Sequence, residues 1–338
     1  MDKRRAFTLS LSIVIVIGAL WVILTGISRQ GALSRLVSAV EGLGGAREKN
    51  GIFITDSGLI ENITDGDDGI LNANLAGIES FADKSRVPAV VALIPTAAAI
   101  MQEQLPANAE LLNQKQLITQ CYEQLSGKAG TVDVYSRLFS ARDERLYYRT
   151  ASNLTGQGGY RVYTALASRL GLSEKEISDF EIENLPVDYY GDLYDRAGSK
   201  NTAPDMLSLY RYTREERTYR LLCVRAGEST VYTTLFPEHL LELGRAEDEL
   251  LGGQAQVRDI TVSAPEEQSL LVLADDTASA YLPFLATHYR RITVIDPRIA
   301  SAEQLAGIDV NDYDRVLLAC SVKTLLQEEV FSPLSAEK

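Results

Sequence analysis

Apolar positions are distributed very unevenly along the chain. From Ala6 to Ser28 there is no charged residue, and the stretch LSIVIVIGALWVILTGI is apolar on every side. At about 1.5 Å of rise per residue a helix of this length crosses the hydrocarbon layer of a bilayer. LSRLVSAVEGL then reads as an amphipathic juxtamembrane helix, and GGAREKNG breaks it as a flexible linker over residues 29–50. Beyond Gly51 the periods shorten. GIFITDSGLIEN predicts a hairpin, VPAVVALIP a buried strand stopped by Pro95, ELLNQKQLITQCYEQL an amphipathic helix and TVDVYSRL another strand. LYYRTASNLTGQGGYRVY reads as a strand at Tyr147 and Tyr148, a polar loop from Thr150 to Thr155, and a helix carrying Val162, Leu166 and Leu170 at helical spacing.

The acidic, aromatic stretch DFEIENLPVDYYGDLYDRAGSKNTAPD predicts surface loops around a small hydrophobic anchor, and YRLLCVRAGESTVYTTLF predicts a hairpin turning at Gly227. After it, LLVLAD, RITVID and RVLLAC alternate with the helical patterns ASAYLPFLATHY, ASAEQLAGI and KTLLQEEV. Strands alternating with helices imply a parallel sheet covered on both faces. The expected architecture is a three-layer α/β/α domain over residues 51–338 with a partly β insertion at about 180–265, preceded by a stub (1–5), a membrane span (6–28) and the linker.

Composition narrows the function classes. With 338 residues and 46% hydrophobic content the chain buries a sizeable core. A net charge of -13 argues against nucleic acid as a partner, since a phosphate backbone needs a basic face. His239 and His288 are the only histidines, and Cys121, Cys223 and Cys320 lie far apart without metal-site spacing, so no cofactor or metal is expected and the cysteines read as buried thiols. Lys3, Arg4 and Arg5 ahead of the apolar run place the amino terminus in the cytoplasm and the remainder outside, as a single-pass cell-membrane protein. A cleaved signal peptide fits the run less well, because it is long and no small-residue cleavage site follows.

The segments GIFITDSGLIEN, VALIPT, LYYRT followed by T-x-x-G and Tyr160, YYGDLYDRAG, LLVLADDTASAYLPFLATHYRRITVIDPR and YDRVLLAC stand in an order and spacing that resembles the DHHW family over nearly all of residues 50–331. The resemblance implies an SGNH-hydrolase-like fold related to the alginate O-acetyltransferase group, membrane-anchored and extracytoplasmic, with acyl transfer through a serine, a histidine and a carboxylate. Family patterns read YYRTDHHWT at the first site. Position by position, the motif aspartate falls here on Ala151, its histidines on Ser152 and Asn153, its tryptophan on Leu154, and the late serine on Asp276, between Asp275 and Thr277. Asn153 has no titrating nitrogen, and an aspartate in place of the serine is a poor acyl nucleophile whose charge opposes an oxyanion.

Relocated chemistry has three forms here. Ser279 or Ser152 could serve as nucleophile, although loop and helix serines usually cap or face water. His288 could serve as base, but it lies about three helical turns beyond Asp276, where a surface or capping role is commoner. Asp275 and Asp276, with Asp296, could form an acid/base or metal pair, but adjacent aspartates in a strand-to-helix turn usually cap the helix. TDGDDG resembles a calcium loop yet has Gly69 where a ligand is needed, which favours a solvated turn. Tyr147, Tyr148, Tyr189, Tyr190 and Tyr194 could line a sugar-binding cleft.

The resulting expectation is a pseudoenzyme whose vestigial crevice, flanked by Tyr148, Arg149, Ala151, Asn153, Asp275 and Asp276, binds an envelope polysaccharide or supports a membrane-bound O-acyltransferase. The alternative is an active carbohydrate esterase or O-acetyltransferase with relocated residues.

Overall fold

A computed structural model describes residues 47–199, 201–243, 250–263 and 266–335. The apolar run at 6–28 and most of the linker lie outside the described residues, and so does the expected membrane anchor. Among the described residues no helix is long and apolar enough to cross a membrane.

A small sheet of β1 (Arg47–Lys49), β2 (Ile52–Ile54) and β3 (Leu59–Glu61) comes first. β2 and β3 form the expected hairpin, pairing Ile52 with Glu61. Helix α1 (Asp68–Lys84) follows, and Asp67 accepts hydrogen bonds from the Gly69 and Ile70 amides as its N-cap. The calcium-like string is thus the start of a helix.

β4 (Ala89–Ile94) leads through α2 (Ala97–Ile100) to α3 (Gln114–Gln124) and the two-residue β5 (Gly130–Thr131). TVDVYSRL does not continue as a strand. Asp133 caps the Ser136 amide at 2.9 Å, and α4 (Val134–Ser140) buries Val134, Tyr135 and Leu138 on one helical face. Local capping overrides the β-branched start.

Tyr147 and Tyr148 likewise form no strand of a sheet, only an isolated bridge from Tyr147 to Leu154. Both rings are buried, and the Tyr147 hydroxyl donates to the Pro95 carbonyl at 2.7 Å. α5 (Gly156–Leu170) starts at Thr155, whose hydroxyl accepts from the Gly158 amide, and ends at Gly171 with φ of 73°. This explains T-x-x-G as a cap. A Cβ on Gly159 would sit 1.9 Å from the Ala280 carbonyl oxygen, so glycine permits the close approach of α5 to the later helix that carries Ala280.

The stretch expected as loops contains β6 (Phe180–Asn184), paired with β7 (Ser208–Tyr212), and α6 (Asp192–Ala197). Leu193 and Ala197 of α6 pack against Ile52 and Leu59. β8 (Tyr219–Arg225) and β9 (Glu228–Tyr232) form the expected hairpin through Ala226 and Gly227.

β10 (Val257–Val262), β11 (Ser269–Ala274), α7 (Ala278–Leu285), β12 (Arg291–Ile295), α8 (Ala302–Ala306), β13 (Arg315–Ser321) and α9 (Val322–Gln327) complete the described elements used below. The central sheet runs β5-β4-β13-β11-β12-β10-β8-β9. β5, β4, β13, β11 and β12 are parallel, whereas β10, β8 and β9 add antiparallel pairings.

The sheet is therefore mixed, and β8, β9 and β10 of the expected insertion extend it, while β6 and β7 pair in a sheet of their own. β10, buried at every second residue, shows why, since a strand with one face in the core belongs in an antiparallel ladder. Leu270 to Leu273 on the central strand β11 are fully buried, and Cys121, Cys223 and Cys320 are buried too.

Candidate functional site

The carboxyl ends of β4, β11, β12 and β13 open onto a cleft, the position where parallel α/β sheets collect ligands. β4 contributes Pro95 and Thr96, β11 contributes Asp276 and Thr277, β13 contributes Ser321, and the turn after β12 contributes Arg298. The loop from Ala151 to Leu154 lies across these ends. Two connected arms result, one of about 530 Å³ and one of about 520 Å³, with Asn153, Leu154, Tyr189, Asp276 and Thr277 lining both.

Asp205 fixes the Ala151 to Leu154 loop from below. Its buried carboxylate accepts from the Arg149 and Thr150 amides, each at 2.8 Å, and from the Thr150 hydroxyl at 2.6 Å. Ala151 is buried, and a Cβ on Gly191 would lie 2.2 Å from its methyl carbon. Ser152 belongs to the first arm. Its amide donates to Asp192 Oδ1 at 2.8 Å, and its hydroxyl reaches both Asp192 oxygens at 3.2 Å. The Asn153 side-chain amide makes no hydrogen bond among the described residues and opens into both arms.

The first arm is lined with charge that is paired within its own walls. Glu61 receives Lys323 Nζ at 2.7 Å and the Arg196 guanidinium. Arg298, largely buried, donates to Asp296 at 2.7 Å, to Asp276 at 3.2 Å and to Glu328 at 3.4 Å. Burial opposes its charge, but the Asp296 bond and the surrounding carboxylates raise its pKa above the ordinary arginine value. Asp275 lies beneath the floor at 1% exposure, accepting from the Thr277 amide at 3.2 Å, the Thr277 hydroxyl and the Ser321 amide at 2.9 Å. Burial and then the neighbouring Asp276 charge raise its pKa. This carboxylate ties the end of β11 to the end of β13 and faces no ligand.

The second arm carries Arg225 and Arg258 opposite Tyr148, Tyr189, Ser279 and Ala280. Arg258 comes from β10 and is 4% exposed. Its Nε donates to the Leu251 carbonyl at 3.2 Å and the Gly253 carbonyl at 3.1 Å, and a second nitrogen also reaches Gly253. Arg225 donates to the Gln254 carbonyl at 2.8 Å and to Gly252.

The expected site residues are therefore only partly brought together. Tyr148, Asn153 and Asp276 share the second arm. Arg149 instead lines a separate hollow of about 890 Å³ beside the β2 and β3 hairpin. Tyr148 is 7% exposed, edge-on to Tyr189 at 5.4 Å, so it presents little ring face, whereas Tyr190 in the first arm is 44% exposed and packs on Tyr194 at 4.3 Å.

His288 is neither a surface residue nor a cap. It is buried, its Nε2 lies 2.8 Å from the Tyr163 hydroxyl, and its ring stacks on Tyr163. Burial, and then the nearby Lys175 charge, lower its pKa to about 4. His239 is exposed beside Tyr232. With no other histidine in the sequence, neither arm offers an imidazole to Ser152 or Ser279. Asp192, Arg298, Arg258 and Asp205 were not singled out by sequence. YYGDLYDRAG and VIDPR contain two of them, but no spacing marks a lone Asp or Arg as a cleft residue.

A family profile described as DHHW protein matches residues 61–295. No curated protein matches the chain. Among solved structures, the chain is similar to a DHHW family protein from Eubacterium siraeum, with 18% identity over 85% of this chain and 96% of that one and a TM-score of 0.69. It is similar to Bacillus cereus PatB1 solved with a sulfonyl adduct, with 15% identity over 83% of this chain and 97% of that one and a TM-score of 0.66. It is also similar to the O-acetyltransferase domain of Pseudomonas putida AlgJ, with 15% identity over 81% of this chain and 92% of that one and a TM-score of 0.50. At these identities the likeness is one of fold.

Proposed function

The chain belongs to the DHHW family, and on that premise we propose that it is a non-catalytic member whose cleft binds an envelope polysaccharide or supports a membrane-bound O-acyltransferase, the cleft's lining favouring the polysaccharide. The observation that carries this reading is an open cleft at the strand ends that holds hydroxyls, carboxylates and an unengaged amide but no imidazole. Serine acyl transfer needs a base on the nucleophile and donors at the oxyanion. Among the described residues the only base within hydrogen-bond reach of Ser152 is the Asp192 carboxylate, and Asp276 stands where the family serine would be. The shared fold of the AlgJ O-acetyltransferase domain supports a link to O-acetylation, in the SGNH-hydrolase-like three-layer form the family resemblance implies.

Tyr190 supplies an exposed aromatic face, and Asn153 and Asp276 supply a mixed donor and acceptor set, the combination that polyhydroxylated ligands use. The full chain, purified in detergent and titrated with a panel of envelope polysaccharides, should bind at least one. Tyr190→Ala should weaken that binding about tenfold, or about 1.4 kcal/mol, without unfolding the protein. A panel with no binder, or a binder indifferent to Tyr190→Ala and to Asn153→Ala together, overturns the reading.

The charge-free run at 6–28 behind Lys3, Arg4 and Arg5 supports a single-pass protein with its carboxyl-terminal domain outside the cell. Protease added to intact cells should then digest the domain and spare a tag at Met1. Digestion of the tag alone would reverse the orientation.

A further inference from the structure

We infer that the second arm is an anion-binding subsite, in which Arg258 and Arg225 receive an anionic oxygen group carried on the polysaccharide repeat, either a uronate carboxylate or a polyol phosphodiester. This rests on the polysaccharide reading and names the ligand chemistry within it.

The reason lies in how the two guanidiniums are held. A buried cation normally sits against a carboxylate, because main-chain carbonyls alone offset its desolvation poorly. Arg258 is 4% exposed, yet among the described residues no Asp or Glu lies within ion-pair distance of it, Asp296 and Asp276 acting only from farther off, and its Nη1 has no hydrogen-bond partner. Arg225, the second cation of the same wall, is also held only by carbonyls. The one acidic side chain lining this arm, Asp276, is already engaged by Arg298 at 3.2 Å.

The loop that holds both arginines is built for that purpose. Leu251, Gly252 and Gly253 are three consecutive left-handed residues, with φ of 56°, 70° and 74°. That backbone directs the carbonyls of residues 251 to 254 at the two side chains, and a left-handed leucine is a strained conformation that the surrounding contacts must hold. A Cβ on Gly252 would lie 3.0 Å from both Cys223 Sγ and the Tyr232 ring, so the turn cannot easily be widened. Guanidinium forks match carboxylate and phosphate oxygens bidentately, which makes this pair a receptor for either group.

The test is calorimetry on the full chain in detergent with three probes: an oligogalacturonate, the same oligomer fully methyl-esterified, and a glycerol-phosphate oligomer. At least one charged oligomer should bind tenfold or more tightly than the methyl ester, and which one does identifies the anion. Arg258→Gln and Arg225→Gln should each remove tenfold or more of that affinity while leaving the ester within twofold. If Arg258→Gln fails to fold, Arg225→Gln and the wild-type ester comparison decide. Equal binding of charged and esterified oligomers, or equal losses for both in the variants, overturns the anion subsite and leaves the polysaccharide reading standing. Binding of none of the three, together with a panel that yields no binder, removes both.

Discussion

The two arms of the cleft share Asn153, Leu154, Tyr189, Asp276 and Thr277, yet they treat charge in opposite ways. In the first arm Glu61, Asp276, Asp296 and Glu328 are met by Lys323, Arg196 and Arg298 within the walls. In the second arm Arg225 and Arg258 donate, among the described residues, only to carbonyls. Charge paired inside a wall maintains the shape of that wall. Charge left without a counter-ion beside a cavity is available to something that enters it. One arm is thus braced by its own ion pairs, and on the proposed reading the other would carry the selectivity.

The largest effect should come from breaking a wall. Arg298→Met leaves Asp296, 4% exposed, without its cation, and should cost about 3–5 kcal/mol of stability in denaturant unfolding. Arg225→Met strands no carboxylate and should cost about 1 kcal/mol. Equal losses would erase the distinction between the arms.

Next is a titration outside the cleft, needed because acid also affects the paired carboxylates. His288 has its folded pKa lowered to about 4 from 6.5 by burial and Lys175, so the unfolded chain takes up its proton first. Its contribution is complete above pH 6.5 and is lost as pH falls toward 4, by on the order of 3 kcal/mol. His288→Gln should flatten that part of the stability profile, and an unchanged acid limb would show that other groups drive it.

A smaller effect is expected at the shared floor. Gly191→Ala would place a Cβ 2.2 Å from the Ala151 methyl carbon and 2.9 Å from its Cα, which should cost about 1–3 kcal/mol. Both arms should lose shape together, so binding of neutral and charged oligomers should weaken alike. A selective loss would mean that the arms do not rest on one floor.

The parallel half of the fold was legible in the sequence because LLVLAD, RITVID and RVLLAC are buried on both faces and alternate with helical periods. The antiparallel extension was not. β8 and β10 read as insertion hairpin material, since nothing local in YRLLCVR says that its partner is a strand more than thirty residues on. TVDVYSRL misled for a related reason, because one capping aspartate outweighed its apparent β character.

At the site, Asn153 and Asp276 were visible through the family pattern, and the structure brings them to one cleft. Arg258, Arg298 and Asp205 were hidden, since their importance comes from burial and long-range partners. His288, in the turn that follows α7, looks exposed in sequence because the α5 residues that cover it, Tyr163 above all, lie far away along the chain.

The claim at the centre is that the cleft binds without acyl chemistry, and the rate of acetate release from an activated acetyl ester by the purified full chain tests it most directly. The wild-type rate should equal that of Asp276→Asn and of buffer alone, because neither protein gives a cleft hydroxyl an imidazole base, and the Asp192 carboxylate beside Ser152 is too weak a base to activate it. Release above that background, abolished by Ser152→Ala or Ser279→Ala and by His288→Ala, would contradict the account and establish a relocated active site.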